Sequence, residues 1–199
     1  MIKIQTKLPR SLTIACSGGV DSMAVVDFLK RKHDVSMLFV HHGTTTSQEA
    51  YGFLKSYSET TGIPLNVYYI DSVLPKGVSQ EEHWRNERYK IFHRVDGPVI
   101  TAHHLDDCVE TWIWSSMHGM GKIIPYSNQN VIRPFRLTSK NEFAKWCTRN
   151  DVPWVEDNSN NDIKYMRNYI RHEVMPVVSV INPGIKKVIK KKVELDVQN

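Results

Sequence analysis

The stretch IACSGGVDS, residues 14–22, decides the fold. Its apolar start breaks into Ser17, Gly18 and Gly19, and an acid, Asp21, follows within two residues. A glycine pair placed directly after a strand and before a helix presents backbone N–H groups to an anion, and the positive end of the helix dipole assists. The sequence therefore predicts a phosphate-binding loop, against the alternative of a tight turn that holds no ligand.

The loop differs from the two best-known phosphate motifs. It has neither the lysine of the Walker P-loop nor the third glycine of the dinucleotide fingerprint. A carboxylate inside such a loop repels phosphate unless a divalent cation bridges the two, and Mg²⁺ is the usual cation. Asp21 therefore predicts a magnesium-dependent phosphate site.

Strand and helix patterns alternate on either side of this loop. This alternation predicts an α/β fold, with a doubly wound, mostly parallel sheet of about five strands and helices on both faces. Short apolar strands are predicted at residues 12–16, 35–41, 65–70 and 98–102. Helices are predicted at residues 20–32, 47–61, 79–95 and 104–117.

The last third of the chain is predicted to add C-terminal helices. Ser139 and Glu142 have capping-box spacing, which predicts a helix start. The stretch 163–176 predicts a helix that Pro176 stops. We expect a catalytic domain over residues 1–178 and a basic helical extension over residues 179–199.

The basic extension concentrates the positive charge of the chain. On a helix over residues 184–196, the apolar face is predicted to hold Ile185, Val188 and Ile189. The opposite face carries five lysines, which either contact RNA phosphates or form a solvated surface. These are Lys186, Lys187, Lys190, Lys191 and Lys192.

Composition limits the class of protein. The 199 residues are 41% hydrophobic and 24% charged, the balance of a globular protein, and the net charge of +5 permits a polyanionic partner. No apolar run is long enough for a membrane span and the first residues lack an apolar signal core, so we expect a cytoplasmic protein. The three cysteines form no CxxC pair, which argues against a disulfide framework or zinc knuckle.

Acidic residues cluster in TAHHLDDCVETW, residues 101–112. On a helix, Asp107 and Glu110 share a face and Asp106 lies about a quarter turn away. Carboxylates crowded in this way favour a metal or a cationic substrate, although acids also suit the first turn of a solvated helix. The neighbouring His103 and His104 are either ligands or backbone-bonded spacers.

Two arginine pairs complete the candidate site. Arg85 and Arg88 lie three residues apart in a predicted helix, where they either hold phosphate or a base or form salt bridges on a helix surface. Arg167 and Arg171 lie one turn apart, which suits them to hold an anion.

With these residues in view, SGGxDS resembles the loop of the PP-loop ATPases, which split ATP into AMP and pyrophosphate. The other motifs are similar to those of the catalytic domain of bacterial tRNA(Ile)-lysidine synthetases. The pattern HHxDDxxET is met by His103, His104, Asp106, Asp107, Glu110 and Thr111, and ExxxRxxRY by Glu81, Arg85, Arg88 and Tyr89. The pattern EDxSNxDxxYxRNxIRxxVxP is met over residues 156–176, including Asp157, Ser159, Asn160 and Asn168.

The resemblance implies a two-step reaction on the wobble cytidine of a tRNA with a CAU anticodon. ATP adenylates O2 of the base and releases pyrophosphate, and the ε-amine of free L-lysine then attacks C2 and expels AMP. Mg²⁺ is implied at Asp21 and Asp107. Catalytic roles are implied for Asp21, Asp106, Asp107, Glu110, Arg85 and Arg88. The implied ATP contacts are Ser17, Gly18, Gly19, Val20, Asp21, Ser22, His42 and His103, and the implied RNA contacts are Arg167, Asn168, Arg171, Lys186, Lys187 and Lys190.

Some features depart from the family. Thr44 and Thr45 stand where the family usually has the Leu and Arg of HGLR, and Gly119 and Gly121 follow the acidic helix without the family's arginine. The stretch after residue 183 is too short for the family's C-terminal domains, so we expect tRNA selection through the anticodon stem-loop, the basic tail or a partner. Alternatives are a related ligase with another amine or tRNA, and a non-catalytic RNA- or nucleotide-binding relic. The sequence leaves an oligomer open.

Overall fold

A six-stranded sheet organises the computed structural model, which describes residues 1–156 and 162–196. The strand order is β3-β2-β1-β4-β6-β5, and all neighbours are parallel except β5 and β6. The strands are β1 (Ser11–Ala15), β2 (Asp34–His41), β3 (Leu65–Tyr69), β4 (Val99–Ile100), β5 (Ser127–Asn128) and β6 (Val131–Ile132). The predicted α/β class with a mostly parallel sheet is confirmed.

Helices connect and flank the strands. They are α1 (Val20–Lys30), α2 (Thr45–Thr61), α3 (Gln80–Arg94), α4 (Leu105–Met117), α5 (Lys140–Arg149), α6 (Met166–Tyr169), α7 (Met175–Ile181) and α8 (Ile185–Leu195). A π-helical segment (Ile170–Val174) joins α6 to α7. Among the described residues, no helix combines the length and apolar character that a membrane crossing needs.

The strand order places a crevice between β1 and β4. The chain moves from β1 outward to β3 and then returns to the other side of β1, so the direction of winding reverses at this point. In open α/β sheets, ligands bind at the carboxyl ends of the strands where this reversal occurs. The glycine loop follows β1 and the acidic helix α4 follows β4, so the fold brings both motifs to the same crevice.

The core lies between the sheet and its helices. Ile14, Met37 and Ile100 from three central strands are fully buried, and so are Phe135 and Phe143. The three cysteines are free thiols in buried positions, where they pack as small apolar side chains.

The hairpin of β5 and β6 was not predicted from the sequence. Its strands have two residues each and are joined by a turn in which Gln129 has a φ of 52°. Two residues are too few to show the period-2 alternation by which a strand is recognised, so tertiary pairing with β4 defines this edge of the sheet.

The prediction that Pro176 stops a helix was wrong. The helical path continues through the proline to Ile181, because the preceding segment is π-helical and Met175 N–H bonds to the Ile170 carbonyl five residues back. A wider turn changes the hydrogen-bond register, which accommodates a residue that has no N–H and a bulky ring.

The apolar face of α8 was predicted with one error. Ile185 and Ile189 are buried against α4 as expected, but Val188 is exposed and Val193 is the third buried residue. Asp196 at the end of α8 pairs with the buried Arg136 at 2.6 Å, so the basic helix is joined to the body of the protein by packing and by charge.

Candidate active site

The glycine loop after β1 has a conformation that only glycine adopts easily. Gly18 has a φ of +83°, and a Cβ at this position would lie 3.0 Å from Cγ2 of Val155. Its carbonyl accepts a hydrogen bond from Val155 N–H at 3.0 Å. The segment before residue 156 therefore crosses directly over the loop, and a side chain at position 18 would have to displace Val155 and adopt a strained φ.

Ser22 braces the loop from within. Its hydroxyl donates to the Gly19 carbonyl at 2.9 Å and accepts from Ser17 N–H at 3.2 Å. The resemblance implied that this hydroxyl and the Ser17 amide hold phosphate, whereas the structure uses both inside the loop. Gly19 is the N-cap of α1 and provides no side-chain cap, which leaves the first amides of that helix, at Val20 and Asp21, without an acceptor from the cap residue.

Asp21 faces the acidic helix across the crevice. Its Oδ2 lies 3.6 Å from Nε2 of His104, and its buried Oδ1 has no hydrogen-bond partner within the part of the chain that the structure describes. A buried carboxylate oxygen without a partner is costly. It is also a free ligand for a cation that a bound phosphate would share.

His104 and Asp107 form a capping box at the start of α4. His104 Nδ1 accepts from Asp107 N–H at 3.2 Å, and Asp107 Oδ2 accepts from His104 N–H at 3.0 Å. Burial lowers the pKa of His104, but the carboxylates of Asp107 and Asp21 outweigh it and the net pKa is raised. The imidazole therefore lies between the two carboxylates predicted to bind metal.

The buried acids of α4 are paired with the two arginines of the C-terminal helical region. Arg171 binds Glu110 through two bonds, of 2.7 and 3.0 Å, and Arg167 donates to Asp107 Oδ1 at 2.7 Å. Arg167 Nε also contacts Glu110 at 3.3 Å. Burial alone would raise the pKa of Asp107, but His104 and Arg167 hold it well below its usual range. Acids and arginines that the sequence treated separately thus form one cluster.

His103 lies beside this cluster as a neutral imidazole. Burial lowers its pKa to about 3, and the positive charges of Arg167, Arg133 and Arg85 act in the same direction. Its Nδ1 lies 2.7 Å from the hydroxyl of Thr101. A neutral ring surrounded by arginines is suited to a hydrogen bond with an anionic or nucleobase ligand rather than to charge pairing.

Replacing His103 by glutamine is predicted to flatten the pH dependence of stability. The unfolded chain binds a proton at His103 near pH 6.5, whereas the folded protein does not until about pH 3. The stability that the neutral imidazole contributes is therefore complete above pH 6.5 and is lost as the pH falls toward 3. Denaturant unfolding at pH 7 and pH 5 should show the wild type losing on the order of 1–2 kcal/mol more than His103→Gln.

The matched control for this prediction is His118→Gln, because His118 is exposed. That variant should keep the wild-type slope of stability against pH. Equal slopes for the wild type and His103→Gln would show that His103 is protonated at the same pH in the folded and unfolded chains.

Arg85 of α3 is close enough to His103 for its charge to lower the pKa of that imidazole. The Arg85 guanidinium lies 5.2 Å from the centroid of the Tyr89 ring, and the Arg85 side chain is exposed. Burial lowers the pKa of Arg88, and the charge of Arg85 adds to the effect. Arg133, which the sequence interpretation missed, is buried and donates to the Tyr89 hydroxyl at 2.8 Å. It directly follows β6, a strand too short to be recognised from the sequence.

His42 directly follows the last residue of β2. Its Nδ1 lies 3.1 Å from the Val40 carbonyl, and its ring centroid lies 5.1 Å from that of Trp84 on α3. Trp84 was not among the predicted site residues. Thr44, which replaces the family's leucine, is the N-cap of α2 and accepts from Ser47 N–H at 3.1 Å.

Asp106 pairs with groups other than the arginines that hold Asp107 and Glu110, and its Oδ2 lies 3.8 Å from Nδ1 of His104. It accepts from Lys140 N–H at 2.8 Å and forms an ion pair with Lys186. It therefore ties α5 and α8 to α4. Of the other predicted RNA contacts, Lys187 is exposed and Lys190 lies 3.9 Å from Glu194.

The motif EDxSNxDxxYxRNxIRxxVxP lies only partly within the described residues. Asn168 is buried and its Nδ2 donates to the Asp162 carbonyl at 3.0 Å. Asp157, Ser159 and Asn160 lie outside the described residues.

Asp21 and Asp107 are the two residues implied to bind Mg²⁺. Within residues 1–156 and 162–196, no three His, Cys, Asp or Glu side chains form a group that would hold a metal ion on their own. Asp21 nevertheless fits a cation shared with phosphate, because its Oδ1 is buried and unpartnered. Asp107 fits less directly, since its oxygens are bonded to His104 N–H and Arg167.

The fold and this crevice define the class of protein. Residues 2–178 match the family model described as the PP-loop domain, and the chain belongs to that family. Among solved structures, the U34-tRNA thiolase NcsA from Methanococcus maripaludis, with its [4Fe-4S] cluster, has a TM-score of 0.73 at 15% identity. The match covers 97% of this chain and 73% of the thiolase chain. An NH₃-dependent NAD synthetase from Campylobacter jejuni has a TM-score of 0.51 at 12% identity, covering 97% and 88%. At these identities the structures share the fold.

Sequence relatives are more specific. A tRNA(Ile)-lysidine synthase from Thermosipho africanus is 31% identical over 201 residues, covering 92% of this chain and 47% of the relative. One from Vibrio cholerae is 27% identical over 203 residues, covering 94% and 46%. The chain therefore spans about half the length of the curated relatives that it matches.

Proposed function

We propose that this chain is an ATP-dependent ligase that converts the wobble cytidine of a CAU-anticodon tRNA to lysidine. The observation that carries the proposal is the crevice between β1 and β4. There the imidazole of His104 lies 3.6 Å from Asp21 on one side and 3.5 Å from Asp107 on the other, and Asp107 belongs to the buried cluster of acids and arginines. The predicted phosphate loop therefore lies next to the carboxylates that are proposed to bind the amine. The similarity to tRNA(Ile)-lysidine synthases supports the same reaction.

In the first step, the loop residues hold ATP. The amides at the start of α1 and the glycine turn receive the phosphates. Asp21 would hold Mg²⁺, together with Asp107 if Asp107 gives up its bond to Arg167. The cation would neutralise the charge that develops on the leaving pyrophosphate. O2 of the cytidine attacks the α-phosphorus, the bond to the β-phosphate oxygen breaks, and the base carries AMP. Arg85 and Arg88 orient the cytidine or the adenylate, near the neutral His103.

In the second step, the lysine ε-amine attacks C2 and AMP leaves. Only the neutral amine is a nucleophile, so an acceptor for its proton is needed. Glu110, with Asp107 beside it, is the proposed binding group for the amine and the proposed acceptor of its proton. Since Arg171 and Arg167 hold these carboxylates in the structure, the amine must compete with the arginines or displace them.

The tRNA is proposed to reach the crevice from the side of α8. Lys187 and Lys190 contribute positive charge there, and Lys186 contributes once it exchanges Asp106 for a phosphate. Single-stranded loop bases are the accessible part of an RNA, so a wobble cytidine can enter a compact crevice. Each lysine that contacts a phosphate should add about one to the slope of log affinity against log salt.

The test is incubation of the protein with ATP, Mg²⁺, isotope-labelled L-lysine and unmodified CAU-anticodon tRNA, followed by mass analysis of the nucleosides. We expect the labelled lysine on cytidine, together with AMP and pyrophosphate. A tRNA with the anticodon changed to GAU serves as the control and should remain unmodified.

Other results would redirect the proposal. AMP and pyrophosphate without lysine on the RNA would keep ATP activation and reject this amine or this tRNA. The absence of all products, with nucleotide still bound, would favour a binding module without catalysis. Transfer of sulfur would favour a thiolase. The three cysteines are buried, and among the described residues they belong to no group with metal-binding geometry.

A further inference from the structure

The ring of Tyr89 on α3 contacts two arginines. The guanidinium carbons of Arg85 and Arg133 lie 5.2 and 5.8 Å from its centroid. Arg133 also donates two hydrogen bonds, from Nη2 to the Tyr89 hydroxyl at 2.8 Å and from Nη1 to the Pro125 carbonyl at 2.9 Å. We call Arg85, Tyr89 and Arg133 the arginine–tyrosine group. Its two arginines differ, because Arg133 is 2% exposed whereas Arg85 is an exposed side chain.

Tyr89 is a fixed support for Arg85. The ring packs against five buried side chains of the sheet and of α3: Leu38, Val40, Phe92, Val99 and Val131. Its hydroxyl is held by Arg133, and Arg85 lies one helical turn before it on α3, close enough for the two side chains to meet. A long arginine side chain loses rotamer freedom when it binds, so a support that is already in place favours binding.

The buried charge of Arg133 has no counter-charge. Within the described residues its hydrogen-bond partners are two neutral oxygens, and no carboxylate lies at ion-pair distance. Arg136 is the contrasting case, because it is fully buried and 5.4 Å from the Tyr126 ring but pairs with Asp196 at 2.6 Å. A buried cation without a counter-charge is costly. The arginine–tyrosine group is therefore a net positive site, which favours an anionic partner.

The group lies close to the proposed active site. The charges of Arg85 and Arg133 both act on the imidazole of His103, which directly follows the residues after β4. Among the described residues Arg85 forms no ion pair, so its guanidinium can meet a phosphate without first giving up a carboxylate. The phosphates of ATP are assigned to the glycine loop, and an exposed arginine is open to a larger polyanion.

We propose that Arg133 is a positioning residue that acts through the Tyr89 ring to fix the guanidinium of Arg85 against a phosphate of the substrate RNA. This inference rests on the proposed function, in which the wobble nucleotide of a tRNA enters the crevice. Arg133 itself touches no substrate, because it is buried. Its contribution is to hold the ring against which Arg85 lies.

The test is binding of a fluorescently labelled CAU anticodon stem-loop RNA to the full chain, measured by anisotropy at a series of salt concentrations. Tyr89→Phe removes the hydroxyl that Arg133 holds and removes no charge. We expect it to weaken binding about threefold to tenfold. The slope of log affinity against log salt should become shallower by about 0.7, the contribution of one phosphate contact in a single-stranded region. A role confined to packing would leave this slope unchanged.

Two further variants test the route from Arg133 to Arg85. Arg133→Lys keeps the charge but replaces the fork of donors by a single ammonium, and it should reduce the slope as Tyr89→Phe does. In an Arg85→Gln background, Tyr89→Phe should have no further effect on the slope. The matched control is Tyr126→Phe, which removes a tyrosine hydroxyl beside the other buried arginine and should keep the wild-type slope.

The results that overturn this inference differ from those that overturn the ligase. A wild-type slope in Tyr89→Phe would overturn the positioning role, and so would an equal further loss in the Arg85→Gln background. Loss of ATP affinity in Tyr89→Phe with an unchanged RNA slope would also overturn it and assign Arg85 to the nucleotide. Slopes that change as expected while lysine transfer fails would reject the ligase and keep the positioning role of Arg133.

Discussion

Asp21→Ala and Asp21→Asn are expected to abolish ATP activation while the protein remains folded. Exchange of labelled pyrophosphate into ATP should fall by at least about 10³-fold, because the carboxylate is the proposed support for the cation on the leaving group. The Oδ1 of Asp21 makes no hydrogen bond with the described residues, so its removal breaks no bond there. The asparagine variant keeps the shape and removes only the charge.

The control for Asp21 is Asp34→Asn. Asp34 is an exposed carboxylate at the start of β2 that pairs with Arg10 at 3.0 Å, far from the proposed chemistry. It should retain wild-type exchange. Unfolding by denaturant should give similar midpoints for all of these proteins. Wild-type exchange in Asp21→Asn would remove Asp21 from the cation site, and the phosphate loop would then have to act through its amides alone.

The position of this site was predictable because it depends on local signals. An apolar strand, a glycine pair and a helix start follow one another within residues 12–22, and each has a short-range pattern. The parallel order of the strands then brings α4 to the same edge. The capping box of Ser139 and Glu142 was also confirmed, since caps are set by residues three positions apart.

The partners within the site were not predictable in the same way. Arg171 and Glu110 are 61 positions apart in sequence, and their pairing depends on how α6 and the π-helical segment lie over α4. Pro176 and Val188 illustrate a related limit, because a wide turn and a rotated helix face arise from tertiary packing. Arg133 and Trp84 were missed because no local pattern separates a buried arginine or a ring contact from an ordinary polar or core residue.

Arg171→Met is expected to destabilise the protein strongly. It removes both short bonds to the buried Glu110 and leaves that carboxylate with Arg167 at 3.3 Å as its remaining ion-pair partner among the described residues. Breaking a buried ion pair on one side costs about 3 kcal/mol or more. Denaturant unfolding should show this loss, and Arg149→Met, an exposed arginine at the end of α5, should remain within about 0.5 kcal/mol of the wild type.

The double variant Glu110→Gln/Arg171→Met separates a lost charge pair from lost packing. It has no unpaired carboxylate at position 110, while Asp107 keeps its bond to Arg167 at 2.7 Å. It should therefore recover most of the stability that Arg171→Met loses. A double variant as unstable as Arg171→Met would show that the guanidinium stem, rather than its charge, is needed for packing.

Glu110→Gln alone should divide the two chemical steps. On the proposed assignment, Glu110 binds the amine and Asp21 acts on ATP, so pyrophosphate exchange with tRNA present should continue while lysine transfer falls by about 10²-fold or more. Raising the lysine concentration should restore part of the transfer if binding is the lost function, and none if proton removal is. Loss of exchange together with transfer would instead assign Glu110 to activation, with Arg167 and Arg171 as the groups through which it acts.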